Sequence, residues 1–245
     1  MSLVVAFDPF SAIIPVLRLG ADGHIKAVAG TGFFVGSRPL VVTAKHVFLS
    51  DPLAEGEQYA MAIFRPGGTD GVGVIKDYLL VCDKWDIAVF AAGGHPMATP
   101  LTLARGMHPL NQDVLAFEYS STTIEADETG HITVNFQPFT HKGNILRHYM
   151  SMFPAKIPTP SFDTSFPALQ GASGAPVLRT SDWAVVGMLV ANVERHLMPA
   201  QVVRVEFDGT GHEEVNYFLP TGQAIEASLI VEYLDELGAD ASVVN

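Results

Sequence analysis

Short runs of β-branched and aromatic residues, broken every few positions by Gly, Pro, Asn or Asp, recur through the first 220 residues of the sequence. Runs of that length cannot carry amphipathic helices, so the pattern restricts this part of the chain to an all-β barrel or sandwich. Candidate strands lie at 12–19, 24–29, 32–35, 40–44, 58–65, 72–82 and 87–90, with turns at 20–23, 36–39 and 66–71. The stretch 91–100, AAGGHPMATP, has the small and rigid residues of a linker. A second series of strands follows at 113–119, 132–136, 175–178, 184–192, 201–207 and 217–219, and 120–130 reads as a hairpin or surface loop. The economical reading is two β units in series, residues 1–100 and 101–245. Helical periodicity appears only near the end, in Ile225, Leu229, Ile230, Tyr233, Leu234 and Leu237, with Gly238 placed as a stop.

Composition narrows the function classes. Lys and Arg total 14 against 26 Asp and Glu, a formal net charge of −12, which argues against a nucleic-acid backbone or an anionic membrane as the main partner. Cys82 is the single cysteine, so no intramolecular disulfide can form and a reducing compartment is permitted. Met1 to Gly20 lacks a cationic start and an uninterrupted apolar stretch and does not read as a signal peptide. The longest apolar run, 183–191, falls short of the ~18–20 residues a membrane span needs. The expectation is a soluble protein, with the cytoplasm favoured.

Three segments carry chemistry. Gly30-Thr-Gly-Phe-Phe-Val is followed by Val42-Thr-Ala-Lys-His46-Val; next comes Trp85-Asp86-Ile-Ala-Val-Phe90; last comes Gln170-Gly-Ala-Ser173-Gly-Ala-Pro176. A serine hydroxyl is a weak nucleophile until a base takes its proton. Histidine can serve as that base, and a buried carboxylate can hold it in the required tautomer. His46, Asp86 and Ser173 lie 40 and 87 residues apart, so they can meet only if the two halves of the chain face each other.

In that order, the three segments resemble the trypsin-like, chymotrypsin-fold serine peptidases, most closely the disulfide-free bacterial kind, from about Gly30 to Pro220. The resemblance implies two six-stranded antiparallel β-barrels with a C-terminal α-helix and a cleft between the barrels. It implies a serine endopeptidase acting on protein or peptide substrates, with Ser173 as nucleophile, His46 as general base and Asp86 as its orienter. The amides of Gly171 and Ser173 would form the oxyanion hole, where a side chain at Gly171 would obstruct close approach. No cofactor and no metal is expected. The tetrapeptide Gly-x-Ser-Gly alone arises by chance roughly 0.1 times per chain of this composition, so the weight rests on the three motifs jointly.

Competing assignments are weaker. Asp83 is the rival carboxylate, but no Ile-Ala-Val strand follows it. An α/β-hydrolase would need Gly-x-Ser-x-Gly, whereas position 175 is Ala, and it would place the serine before the histidine. The other histidines, His141 and His148 among them, lack metal-ligand spacing, and Cys82 reads as a small core residue. Two functional alternatives stay open: a protease-like binding or scaffold protein with an unproductive triad, and an esterase or amidase in the same fold. Oligomeric state is not legible.

The sequence also departs from its relatives. Digestive-type members of the family pair a new N-terminus with an acidic residue just before the nucleophile; that position here is Ala172, and no Ile-Val-Gly-Gly segment is present. The chain ends soon after its terminal helix, so no appended peptide-binding domain is expected. Six residues before the nucleophile, where the Lys- or Arg-specific enzymes carry a carboxylate, stands Pro167. With Leu189 and Val190 on the opposite wall, Pro167 implies a pocket for small or medium apolar side chains. The segment 118–160 aligns with nothing in the family, and its expected role is to shape the cleft or decorate the surface.

Overall fold

The computed structural model describes residues 8–38, 40–64, 71–75, 79–92, 99–128, 131–154, 156–196 and 218–245. A single helical turn, α1 (Pro9–Ala12), opens the described chain, capped where Asp8 Oδ1 accepts the Phe10 amide at 3.1 Å. Seven strands follow: β1 (Ile13–Leu19), β2 (Ile25–Val35), β3 (Leu40–Thr43), then after the helical turn α2 (His46–Leu49) β4 (Gln58–Ile63), β5 (Gly71–Val74), β6 (Leu80–Val81) and β7 (Ala88–Ala91). They form one antiparallel sheet in the order β5-β4-β1-β2-β3-β7-β6. The expected strands at 24–29 and 32–35 are one continuous strand, β2, running through Gly30-Thr31-Gly32. The expected strand at 72–82 is two pieces, β5 and β6, on opposite edges of the sheet. Because only five residues separate Val74 from Leu80 in sequence, the two edges are tied by a short length of chain and the sheet curls toward a barrel.

The second half contains β8 (Leu103–Ala104), β9 (Asp113–Glu118), β10 (Thr123–Ala126), β11 (Ile132–Asn135), β12 (Phe139–Ser151), β13 (Thr159–Thr164), β14 (Pro176–Arg179), β15 (Val185–His196), β16 (Phe218–Glu226), the helix α3 (Ala227–Glu236) and β17 (Val243–Val244). Six of these strands close a barrel in the order β14-β9-β12-β13-β16-β15, with β15 returning to β14. The short strands β8 and β17 add to it in parallel, and β10 with β11 makes a separate hairpin. The fold is therefore all-β, two chymotrypsin-like barrel sheets with a C-terminal helix. Among the described residues no helix is long and apolar enough to cross a membrane. The expected strand at 201–207 lies outside the described residues.

The segment 118–160 does more than shape the cleft or decorate the surface. It contributes β12, one full stave of the second barrel, and the first two residues of β13, as well as the β10–β11 hairpin. Their sequences hide this because most of the buried side chains are polar. Along β12 only Ile145 and Ser151 are fully buried, and β13 buries Ser161, Asp163 and Thr164 beside Phe162. Buried polar groups are tolerated when partnered. Asp163, with no exposed surface, accepts Arg147 Nε and Tyr149 Oη, each at 2.7 Å.

One apolar core runs from the first barrel through the barrel interface and under α3. It takes in Phe33, Val42, Ile87 and Phe90, then Met188, Val190 and Ile225, then Leu229, Ile230 and Leu234. A fully buried Leu or Ile contributes about 1.5–3 kcal/mol, so α3 clamps the two barrels together. Its end is a Schellman motif: Gly238 at φ +63° donates to Asp235 O at 3.1 Å and Ala239 to Leu234 O at 2.9 Å, which fulfils the glycine stop.

On the outer face of the first barrel Glu57 gathers three donors: Lys26 Nζ at 2.8 Å, the Ala54 amide at 2.9 Å and Arg18 Nε at 2.8 Å. Arg18 also bonds Asp51. These donors, Lys26 first, hold the Glu57 carboxyl down to about 2. An unfolded glutamate titrates near ~4.3, so the folded form binds fewer protons between the two values. The stabilisation is complete above the unfolded value and is lost as pH falls through the folded one. Glu57→Gln should therefore melt below the parent at pH ~6, and the gap in Tm should narrow as pH falls from ~4 to ~2. A gap independent of pH would contradict this assignment of the ion cluster.

Candidate active site

His46 is the first residue of α2, directly after β3 has delivered the chain to the barrel interface. Two main-chain contacts fix that corner: the Lys45 amide donates to Asp86 O at 3.3 Å and the His46 amide to Asp86 Oδ1 at 2.9 Å. Asp86, 2% exposed, stands just before β7, and its Oδ2 lies 2.6 Å from His46 Nδ1. The carboxylate accepts the Nδ1 proton, which leaves Nε2 as the acceptor for a hydroxyl. Ser173 Oγ lies 2.7 Å from that Nε2. The first barrel thus presents a histidine already oriented, and the second presents the serine to it. Asp83 is exposed, outside this chain of bonds.

The loop carrying Ser173 consists of two tight turns in tandem. Ala172 N donates to Leu169 O and Ala175 N to Ala172 O, each at 2.9 Å. The third residue of each turn is a glycine at positive φ, Gly171 at +94° and Gly174 at +88°, as a type II turn requires. Among the described residues neither the Gly171 nor the Ser173 amide is taken up by a protein acceptor. Two uncommitted N–H groups beside a nucleophile can receive a developing oxyanion. A Cβ on Gly174 would fall 2.2 Å from both Thr31 O and Thr43 Oγ1, so only glycine lets the loop seat against the first barrel.

A fully buried residue of the first motif, to which the sequence assigned no role of its own, joins these parts. Thr31 N donates to Ser173 O at 2.8 Å and Thr31 Oγ1 donates to Gly171 O at 2.8 Å. Behind Gly171 lies Ser120, whose Cα would be 3.3 Å from a Cβ placed on that glycine. Ser120 is held by the buried Glu118, which accepts its hydroxyl at 2.7 Å and has His141 Nε2 at 3.3 Å.

The cleft extends to both sides of His46. One cavity of 480 Å³ is lined by Lys45, His46, Leu49, Ser50, Asp86, Phe153, Pro154, Lys156 and Val190. Another, 240 Å³, reaches from His46, Gln170 and Gly171 to Arg18, Asp51 and Tyr59. Of the three wall residues read from the sequence, Val190 faces the first cavity beside the histidine. Leu189, on the opposite face of β15, has no exposed surface and belongs to the second barrel's core. Pro167 is half-buried in the segment before the serine loop, where Asn192 Oδ1 accepts the Ala168 amide at 3.4 Å. Phe153, Pro154 and Lys156 reach the cleft from the β12–β13 loop, within the stretch that resisted alignment. Among the described residues there is no group of three or more His, Cys, Asp or Glu able to hold a metal ion.

Two barrels facing each other across a His–Asp–Ser array define the chymotrypsin-like class of protein. A family model described as a trypsin-like peptidase domain matches residues 30–188, and the chain belongs to that family. Among solved structures, the active form of the Rv3671c protease from M. tuberculosis is similar at 16% identity and a TM-score of 0.55, with 96% of this chain and 84% of that chain covered. The MamO protease domain from Magnetospirillum magneticum is similar at 15% identity and a TM-score of 0.59, with 91% and 96% covered. No curated protein sequence matches. At such identities the structural likeness concerns the fold.

The seat of the serine loop can be tested apart from catalysis. Gly106 also has positive φ, +89°, but open space around its Cβ position. Gly106→Ala should cost about 1–3 kcal/mol for the backbone conformation alone. Gly174→Ala should cost clearly more in urea denaturation, because it adds the collision with Thr31 and Thr43. Equal costs would mean that the loop can shift away from the first barrel without loss.

Proposed function

We propose that the protein is a serine endopeptidase that cleaves peptide bonds through an acyl-enzyme on Ser173. The observation that carries the reading is the unbroken hydrogen-bond chain from Asp86 through His46 to Ser173. In the first step the Ser173 Oγ attacks the scissile carbonyl carbon while its proton passes to His46 Nε2. The carbonyl oxygen gains negative charge and is received by the Gly171 and Ser173 amides. His46 then gives its proton to the leaving amine as the C–N bond breaks, and the acyl-enzyme remains. A water then gives a proton to the same nitrogen as it attacks the ester, and as the ester C–O bond breaks His46 returns that proton to Ser173 Oγ and the acid product leaves. Asp86 stays ionised throughout and stabilises the imidazolium. No step needs a cofactor. Residues 1–100 would supply the base and its orienter, and residues 101–245 the nucleophile and oxyanion donors.

Specificity belongs to the same proposal. Phe166, Pro167, Ala168 and Leu169 are uncharged, as is Val190, and the nearby Asp163 is committed to Arg147 and Tyr149. A cationic side chain of the substrate would be desolvated there without a partner, at a cost of several kcal/mol by order of magnitude. The primary pocket should take small or medium apolar residues, and a cleavage profile across a peptide library dominated by Lys, Arg or Glu at that position would overturn this.

Ser173→Ala should abolish labelling by a fluorophosphonate and lower peptide turnover by several orders of magnitude while leaving the thermal midpoint near the parent's, since triad members act as a unit. Asp86→Asn should lose ~10⁴ in turnover, because an amide in place of the carboxylate favours the wrong histidine tautomer, whereas Asp83→Asn should not. Parent protein that takes no fluorophosphonate would favour the binding or scaffold alternative, and ester hydrolysis without protein digestion would favour the esterase one.

A further inference from the structure

The oxyanion donors need an anchor, and Ala172, fully buried, has no side chain able to form the ion pair that stabilises this loop in digestive-type relatives. The loop's polar groups show where its restraint lies instead. The carbonyls of Leu169 and Ala172 are used inside the two turns, and the Gly174 amide goes to Leu189 O at 2.8 Å. The carbonyls of Gly171 and Ser173 belong to the same residues whose amides have no protein acceptor among the described residues. Both are held by Thr31, one through its hydroxyl and one through its main-chain N–H.

Thr31 is itself restrained on every polar group. Its carbonyl accepts Thr43 Oγ1 at 2.7 Å, and its Oγ1 accepts the Tyr119 amide at 3.3 Å. Thr43 ends β3, the strand that leads to His46, and Tyr119 adjoins Ser120, the residue packed behind Gly171. With no exposed surface, Thr31 cannot exchange these bonds for water. One residue therefore refers the oxyanion loop, the histidine strand and the wall behind Gly171 to a common point.

We propose that Thr31 is a positioning residue for the oxyanion hole, its hydroxyl holding Gly171 in register with Ser173 and His46 and substituting for an activation ion pair. This rests on the serine-peptidase reading. The hydroxyl touches neither substrate nor reacting atoms. Its loss would let Gly171 drift relative to the nucleophile, and a misplacement of about 1 Å at a reacting centre can cost ~10²-fold in rate.

The test compares Thr31→Val, which keeps the branched shape and removes both hydrogen-bonding functions of the side chain, with Thr31→Ser, which keeps the hydroxyl. Turnover is measured per site titrated by fluorophosphonate, alongside KM, the thermal midpoint and inhibition by a peptide boronic acid whose tetrahedral adduct places an oxygen in the oxyanion hole. Thr31→Val should lower kcat about 10- to 100-fold, leave KM within a few-fold, and weaken the boronic acid by a factor that tracks the loss in kcat/KM. Thr31→Ser should recover most of both. If Thr31→Val does not fold, Thr31→Ala is held to the same criteria. Unchanged kcat in folded Thr31→Val overturns the proposal, as does a fall in kcat with undiminished boronic acid affinity, or a Thr31→Ser variant as impaired as Thr31→Val. An inert parent enzyme overturns the serine-peptidase reading and this proposal together, whereas those three outcomes with an active parent overturn this one alone.

Discussion

Everything in the cleft depends on how closely the serine loop approaches β2. Gly174 has no room for a side chain against Thr31 O and Thr43 Oγ1, and Thr31 N reaches Ser173 O at 2.8 Å. Gly30 makes the same demand from the other side, where a Cβ would fall 2.8 Å from Ser173 O and 2.6 Å from Val47 Cγ2. The backbones of two barrels are thus in direct hydrogen-bonding contact, with glycines on both sides removing the atoms that would separate them. A side chain between them would part Ser173 Oγ from His46 Nε2, which lie 2.7 Å apart.

The energetic division follows from this geometry. Apolar burial beneath α3 and between the barrels supplies a non-directional force that brings the halves together, but it does not set their positions to tenths of an ångström. Directional bonds do that: the Asp86 carboxylate spans main chain and imidazole of His46, and Thr31 spans the carbonyls of Gly171 and Ser173. With a single cysteine no disulfide can assist, and buried, partnered polar groups such as Asp163 and Glu118 take up much of the ordering within the second barrel. Such groups are costly when one partner is removed, which makes the site sensitive to residues well behind it.

The two sides of the cleft differ in character. Toward the 480 Å³ cavity the lining combines Leu49, Phe153 and Val190 with Lys45 and Lys156, whereas the 240 Å³ cavity ends at Arg18, Asp51 and Tyr59. Arg18 there is neutralised by Glu57 and Asp51. A bound peptide would meet apolar and cationic surface on one side of His46 and a balanced ion cluster on the other.

The architecture and the three residues that meet in the cleft were legible because their signals are local. Alternating β-branched runs, turn glycines and the helical period ending at Gly238 each reflect backbone preferences that a few neighbouring residues express. The motif residues His46, Asp86 and Ser173 stand out because their chemistry restricts the residue types around them. The strands β12 and β13 were not legible, since most of their buried positions are polar and a group such as Asp163 is satisfied only by Arg147 and Tyr149 once the strands have paired. Thr31 belongs to the first motif, yet its role was not legible either: a threonine in a strand is ordinary until Gly171, Ser173, Thr43 and Tyr119, between 12 and 142 residues away in sequence, are brought to its amide, carbonyl and hydroxyl. Periodicity and motif report what a segment prefers by itself; which buried hydrogen bonds are made is decided only when distant segments share one volume from which water is excluded.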